Sequence, residues 1–223
     1  LSSNRIEQFE TIGLNPYFID QQMLNKTLSE LPFTKDKIKE VHFYGAGCGV
    51  ISQADWMKKK LLEFFCHSQV CVYSDLLAAA RSLYGAEKGL VGILGTGSNL
   101  AYYDGVHLVF KTPSLGYVLG DEGSGNYLGR LFLRTFLKEE FSEDIYQKIK
   151  LTKTEVLDNV YQKDMPNKYL ASMAPFIFRN RKHPEIAALI QQNFTDWIEQ
   201  YVLKHSESNR LAVVGSIAFY FKT

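Results

Sequence analysis

Three stretches concentrate the residue types that bind and react. The first is "GTGSN" at 95–99, directly after the apolar run "LVGIL" at 90–94. A glycine-rich turn at a strand end exposes backbone N–H groups that can converge on an anion. Thr96 and Ser98 add hydroxyl donors. The same composition also suits a tight hairpin, where glycines supply positive φ. No Lys follows, so the G-x-x-x-x-G-K-[ST] phosphate loop is absent. The second stretch is "GDEGSG" at 120–125, with Asp121 and Glu122 among three glycines. One acid is enough to cap a helix. Clustered glycines point to close approach of the backbone to a ligand, and an acid there can bind sugar hydroxyls or act through Mg²⁺. The third is Asp75 in "VYSDLLAAA", where an apolar strand gives way to a helix. Ligands of open α/β sheets bind at such carboxyl ends. Asp75 can accept a proton from a substrate hydroxyl, or simply cap the helix.

Three weaker signals accompany them. "VGSIA" at 214–218 is a strand end, a small-residue turn and a helix start, which lets a flat or anionic group approach the backbone or packs strand tightly on helix. In "GLNPY" at 13–17, Asn15 precedes a proline, so it is extended and serves as a turn residue or a ligand amide. "YGAGCGV" at 44–50 approaches a dinucleotide fingerprint, but Val50 stands where its third glycine belongs.

The elements that must position these residues are legible from periodicity. "RIEQFETI" (5–12) alternates as a strand does. Asp20 caps a helix running to about Leu31, before Pro32. "VHFYG" (41–45) and "VCVYS" (70–74) are short apolar strands, each followed by a helical pattern: 52–65, opened by Ser52, and 75–84. That alternation argues for a parallel sheet with covering helices. After Gly89 the strands "LVGIL", "LAYYD" (100–104) and "HLVFK" (107–111) follow closely, with a hairpin signal at Asp104-Gly105, so an antiparallel meander is expected. Residues 116–141 run from a glycine-rich turn into a long helix, and 143–205 are mostly helical without a readable motif, where core and dimer packing is the default. "RLAVVGSIAFYF" (210–221) is a strand, a turn and a helix start. A lobe boundary is expected near residues 86–89.

Composition bounds the reading. The 223 residues are 46% hydrophobic and 22% charged, with net charge +1. That is ordinary for a soluble globular chain and gives no basic excess for nucleic acid. No uninterrupted apolar run is long enough to span a membrane, and no secretory pattern opens the chain. Cys48, Cys66 and Cys71 are an odd count without C-x-x-C spacing, so no disulfide frame or zinc site is indicated and buried thiols in a reducing cytoplasm are expected.

The order of these pieces, from "GLNPY" through Asp75, "GTGSN" and "LGDEGSG" to "VGSIA", resembles N-acetylglucosamine kinases and the related BadF/BadG-type ATPases, within the superfamily of sugar kinases, heat-shock chaperone ATPases and actin. The resemblance implies an α/β, two-lobed ribonuclease-H-like (actin-like ATPase) fold, with ATP and sugar bound in the interlobe cleft. Residues 1–88 match the N-terminal lobe and 89–223 the C-terminal lobe with a helical insertion at about 143–205. It implies ATP and Mg²⁺ as cofactors, an amino sugar phosphorylated at the 6-hydroxyl, a cytoplasmic enzyme and a homodimer, with no nucleic-acid or membrane partner. Asp75 matches the catalytic base. Gly95, Thr96 and Gly97 match the second phosphate loop, and Gly215 and Ser216 the adenosine-side turn. Asn15, Ser98, Asn99, Ser114, Leu115, Gly116 and Asp121 match sugar-binding positions. No protein metal ligand is implied.

Three departures accompany the resemblance. The family's opening strand and Asp-Gly-Gly-x-x-Thr-type loop are not in the sequence, so they are expected before Leu1, and the 223 residues alone should make a poor kinase. Leu115 stands where many acetylglucosamine kinases carry an aromatic residue. The nucleotide pocket is expected to continue past Thr223. Within the superfamily, an ATPase that activates a partner enzyme through a shared iron–sulfur cluster needs paired cysteines, whereas Cys48 has no near partner. A non-catalytic sugar-sensing domain is the other alternative, and Asp75 argues against it.

Overall fold

The computed structural model describes residues 6–205 and 208–222. The chain divides into two compact units, Leu1–Ala78 and Ala79–Thr223. The division falls inside the third helix, whereas sequence places a lobe boundary at 86–89, in the loop after it.

In the first unit, helix α1 (Gln21–Ser29) begins where Asp20 Oδ1 accepts a hydrogen bond from Met23 N at 2.7 Å. Strand β1 (Glu40–Gly45) leads to helix α2 (Ile51–Phe64), and strand β2 (Gln69–Ser74) leads to helix α3 (Asp75–Tyr84). β1 and β2 pair in parallel, with Glu40 beside Gln69 and Gly45 beside Ser74. Parallel strands need a crossover, and α2 supplies it. Alternation aims Val41 and Phe43 at the helices, where Leu24, Leu28, Met57 and Leu61 form the core. Met57 and Leu61, both essentially fully buried, each contribute about 1.5–3 kcal/mol.

Two expectations need correcting here. α2 starts at Ile51 with Val50 as its cap residue and no side-chain cap bond, so Ser52 does not open it. Residues 6–12 form no strand; Arg5 lies outside the described residues. An alternating pattern becomes a strand only when a neighbour completes the hydrogen-bond ladder. Among the described residues none pairs with it, and Ile6, Phe9 and Ile12 stay exposed.

The second unit is built on a sheet of order β5-β4-β3-β6. Strands β3 (Gly89–Leu94), β4 (Ser98–Tyr103) and β5 (Leu108–Lys111) form the expected meander. Asp104 Oδ1 accepts from Val106 N and His107 N in the turn that joins the last two. Central β3 is almost wholly buried, which suits its unbroken apolar sequence. Helix α4 (Gly116–Leu119) is a single turn ahead of the glycine-rich segment at 120–125, which passes into helix α5 (Gly125–Leu137) as expected, though the helix stops at Leu137 rather than running to 141. Helices α6 (Glu143–Tyr146), α7 (Lys153–Tyr161), α8 (Pro166–Ala171) and α9 (Ala174–Arg179) surround α5, around Leu128, Phe132, Phe136, Ile145 and Ile177. Helix α10 (Pro184–Gln200) lays Trp197 over the sheet beside Leu90, Leu94 and Leu100. Strand β6 (Leu211–Val214) pairs in parallel with β3, and helix α11 (Ser216–Tyr220) follows it. No helix among the described residues is long and apolar enough to cross a membrane.

Candidate active site

The parallel register of β1 and β2 sets the candidate residues of the first unit. Because Gly45 lies beside Ser74, the turn after β1 and Asp75 after β2 emerge at the same sheet end. Ser74 caps α3, its Oγ accepting from Leu77 N at 3.2 Å. Asp75 is therefore not needed as the cap; among the described residues its Oδ1 accepts only from the adjacent Leu76 N, at 2.8 Å, and the residue is half-buried. Buried Cys48, in the turn, has its thiol pushed up by burial first and then by the Asp75 carboxylate. Cys66 is exposed and Cys71 half-buried, so the expectation of buried thiols holds for Cys48 alone. Asn15 makes the turn its sequence allows, its Oδ1 accepting from Tyr17 N at 2.9 Å. A Cβ on Gly47 would lie 2.7 Å from that oxygen, so Asn15 borders the same turn. The unit thus gathers Asn15 and Asp75 around residues 45–50.

In the second unit, "GTGSN" is the β3–β4 hairpin, with Gly95 N donating to Gly97 O at 3.0 Å. It is more than a hairpin because it is fastened to α5. Gly125 N donates to Gly95 O at 2.8 Å and Asn126 N to Thr96 O at 3.0 Å. These bonds use two of the N–H groups that a helix start leaves unpaired. Ser124 is the cap residue of α5, accepting from Tyr127 N, so neither Asp121 nor Glu122 caps it. The amides of Thr96 and Gly97, at the hairpin tip, make no hydrogen bond among the described residues. Thr96 is exposed.

Thr96 and Gly95 border a cavity of ≈ 440 Å³ whose walls include Gly125, Phe178, Arg179, Ser216, Ile217 and Tyr220. Gly215 precedes it at φ +111, and a side chain there would collide with the Leu94 carbonyl. The "VGS" turn is therefore tight packing and cavity wall together. Ser98, Asn99, Ser114, Leu115 and Asp121 border a separate, small recess of ≈ 10 Å³, with Trp197 and Tyr201. Gly97 lies against Asp121 without lining either hollow, and Gly116 adopts φ +74 as it opens α4.

Asp121 is buried and sits at φ +64, in the left-handed region that aspartate enters more readily than most residues. Its Oδ2 accepts from Asn126 Nδ2 at 2.8 Å and its Oδ1 from Ser98 N at 3.4 Å, which joins the acidic turn to the hairpin. Buried Glu122 accepts from Tyr201 Oη at 2.6 Å. Tyr127 Oη donates to Asp196 Oδ2 at 2.7 Å; burial, then that bond, pushes the Tyr127 hydroxyl up to about 12.

The structure brings the expected second-unit residues into two neighbouring groups, and adds Phe178, Arg179, Asn193, Trp197, Tyr201 and Tyr220 from segments without motifs. Aromatic residues spaced along helices read equally well as core. Among the described residues, no group of three or more His, Cys, Asp or Glu side chains is placed to hold a metal ion.

A parallel strand pair ending at an aspartate, and a meander whose hairpin is fastened to a helix start, define an α/β protein of sugar-kinase type. A structure from Porphyromonas gingivalis, provisionally named an N-acetylglucosamine kinase, matches with a TM-score of 0.86 and 36% identity over 94% of this chain and 77% of that one. Another from Chromobacterium violaceum, with the same provisional name, shares the fold at a TM-score of 0.67 and 20% identity, covering 89% of this chain and 74% of that one. No family model and no curated protein matches the chain. The chain belongs to the N-acetylglucosamine kinase family, and so to the sugar kinases.

Proposed function

We propose that the protein transfers the γ-phosphoryl group of ATP to the 6-hydroxyl of an amino sugar, N-acetylglucosamine first among them. The observation that carries this reading is the hairpin at 95–99. Its Gly95 and Thr96 carbonyls are spent on α5, while its Thr96 and Gly97 amides make no hydrogen bond among the described residues, and Gly95 and Thr96 border the larger cavity. Backbone N–H groups held in this way suit phosphate oxygens, because they need no reorganisation when charge develops.

In this reading the larger cavity takes ATP. Its dimensions and its apolar walls, Ile217 and the rings of Phe178 and Tyr220, suit a nucleoside. The Thr96 hydroxyl and the Thr96 and Gly97 amides face the phosphates, with Gly95, Gly215 and Ser216 letting the backbone come close. Mg²⁺, if it entered with ATP on the phosphate oxygens, would supply neutralising charge there. Asn15, Ser98, Asn99, Ser114, Leu115, Gly116 and Asp121 bind the sugar. Asp75, with one oxygen committed to Leu76 N, takes the proton of the 6-hydroxyl as that oxygen attacks phosphorus and ADP leaves.

The test is ADP release by the full-length protein with ATP, Mg²⁺ and a panel of hexoses and amino sugars. N-acetylglucosamine should stimulate turnover most, and Asp75→Asn should nearly abolish it. Turnover that no sugar stimulates, or an Asp75→Asn variant of full activity, overturns the assignment.

A further inference from the structure

Helix α10 carries no motif, yet its C-terminal half grips the acidic turn. Gly123 N donates to Asn193 Oδ1 at 3.1 Å. A Cβ on Gly123 would lie 2.7 Å from Trp197 Cγ, so the indole fills the space beside that residue. One residue earlier, Tyr201 Oη donates to Glu122 Oε2 at 2.6 Å, a short bond of the charge-assisted kind. Glu122 is 7% exposed, and a buried carboxylate needs such a donor. The Tyr201 hydroxyl is itself pushed upward by burial and then by its bond to Glu122, so it keeps its proton.

These contacts fall on the two residues directly after Asp121. On its other side Asp121 is tied to Asn126 and Ser98. The left-handed Asp121 is thus fixed between α5 and the hairpin on one side and α10 on the other. Residues in such backbone regions persist only where their surroundings over-determine them.

We propose that Tyr201 is a positioning residue for sugar recognition: acting through Glu122, it holds the turn that aims the Asp121 carboxylate at the recess bordered by Ser98 and Asn99. This rests on Asp121 being a sugar-binding acid. Tyr201 also borders that recess, so its ring and its hydroxyl have to be told apart.

Steady-state kinetics of the full-length protein do this. Tyr201→Phe keeps the ring and removes the hydroxyl. It should raise KM for N-acetylglucosamine about tenfold, the loss of one hydrogen bond to a charged group, while KM for ATP changes less than about twofold. Glu122→Ala should give the same rise, the double variant no more than either alone, and Glu122→Gln, which still accepts a hydrogen bond, should restore most of it. The melting temperature of each variant separates positioning from unfolding. An unchanged sugar KM in Tyr201→Phe overturns the proposal. So does a joint rise of both KM values with a lower melting temperature, which marks general loosening. Multiplying effects in the double variant overturn it too, because Tyr201 would then touch the sugar directly. If Glu122→Ala does not fold, Tyr201→Phe and Glu122→Gln still decide. A wild-type protein that turns over no sugar defeats the kinase reading and this role with it; an active wild type with an indifferent Tyr201→Phe defeats this role alone.

Discussion

Asp75 and Asp121 are both aspartates beside glycine-bearing turns, and they are held in opposite ways. Asp75 is half-buried at a strand end, and its helix is capped by the preceding Ser74. Among the described residues its carboxylate accepts one hydrogen bond, from the next residue. Asp121 is buried, left-handed, and bonded to an asparagine side chain and to the amide of a residue 23 positions away. A group that must take up a proton needs an oxygen open to substrate. A group that must hold one orientation gains from every partner that restrains it. The same side chain is therefore fitted to different work by its surroundings.

Substitutions test that contrast. The largest effect should come from Asp75→Asn, which lowers kcat by about 10²–10⁴-fold. Asparagine keeps an oxygen for Leu76 N, so the melting temperature should hold; a variant that lost stability along with rate would give Asp75 a structural part. Asp121→Ala should instead cost both. It leaves Asn126 Nδ2 and Ser98 N without their acceptor, worth about 1–3 kcal/mol in denaturant titration, and should weaken sugar binding in calorimetry. Stability equal to wild type would show that the buried network does not restrain the turn. Ser74→Ala removes the α3 cap and should cost about 0.5–2 kcal/mol, with kcat falling far less than in Asp75→Asn. A loss of rate as large as that of Asp75→Asn would mean that the helix start, rather than the carboxylate, governs turnover.

The smallest effect is a pH signature confined to the second unit. The Tyr127 hydroxyl moves from the usual 10.0 up to about 12, because burial and then Asp196 oppose its ionisation. The unfolded chain gives up that proton first, so unfolding gains as pH rises above the unfolded value. The contribution is complete below about pH 10 and disappears as pH climbs to about 12. Tyr127→Phe should flatten the alkaline limb of the stability curve over that interval. An unaltered limb would show that this hydroxyl is solvated in the folded protein.

Much of this arrangement was legible in sequence, where the signals are local. α3 spans 75–84 as its helix formers predict, Asp20 caps α1, and the meander turns at Asp104-Gly105. "GTGSN" and "GDEGSG" were conspicuous because glycine clusters are costly without a reason. The alternation of 6–12 misled, since a period of two creates a strand only beside a partner. The expected opening of α2 at Ser52 misled for a related reason, and the alternative of Asp121 or Glu122 as a cap gave way to Ser124. Several nearby side chains can satisfy a helix start, and only the backbone path chooses among them. Phe178, Asn193, Trp197 and Tyr201 carried no signal, because an aromatic or amide residue on a helix looks the same whether it faces core or ligand.

The sequence by itself determined the order of elements and the residues able to do chemistry, because dihedral preference, periodicity and turn composition act over a few residues. The tertiary structure alone decided which of those residues meet. It set Asp75 beside the turn after β1 by the register of two parallel strands, it brought Asn15 against Gly47 in that turn, and it fastened the hairpin to α5 through carbonyls that any residue possesses. It also brought α10 against Glu122 and Gly123 from 70 or more residues away. Contacts of that kind depend on the path of the backbone through the packed core, which no short window of sequence contains.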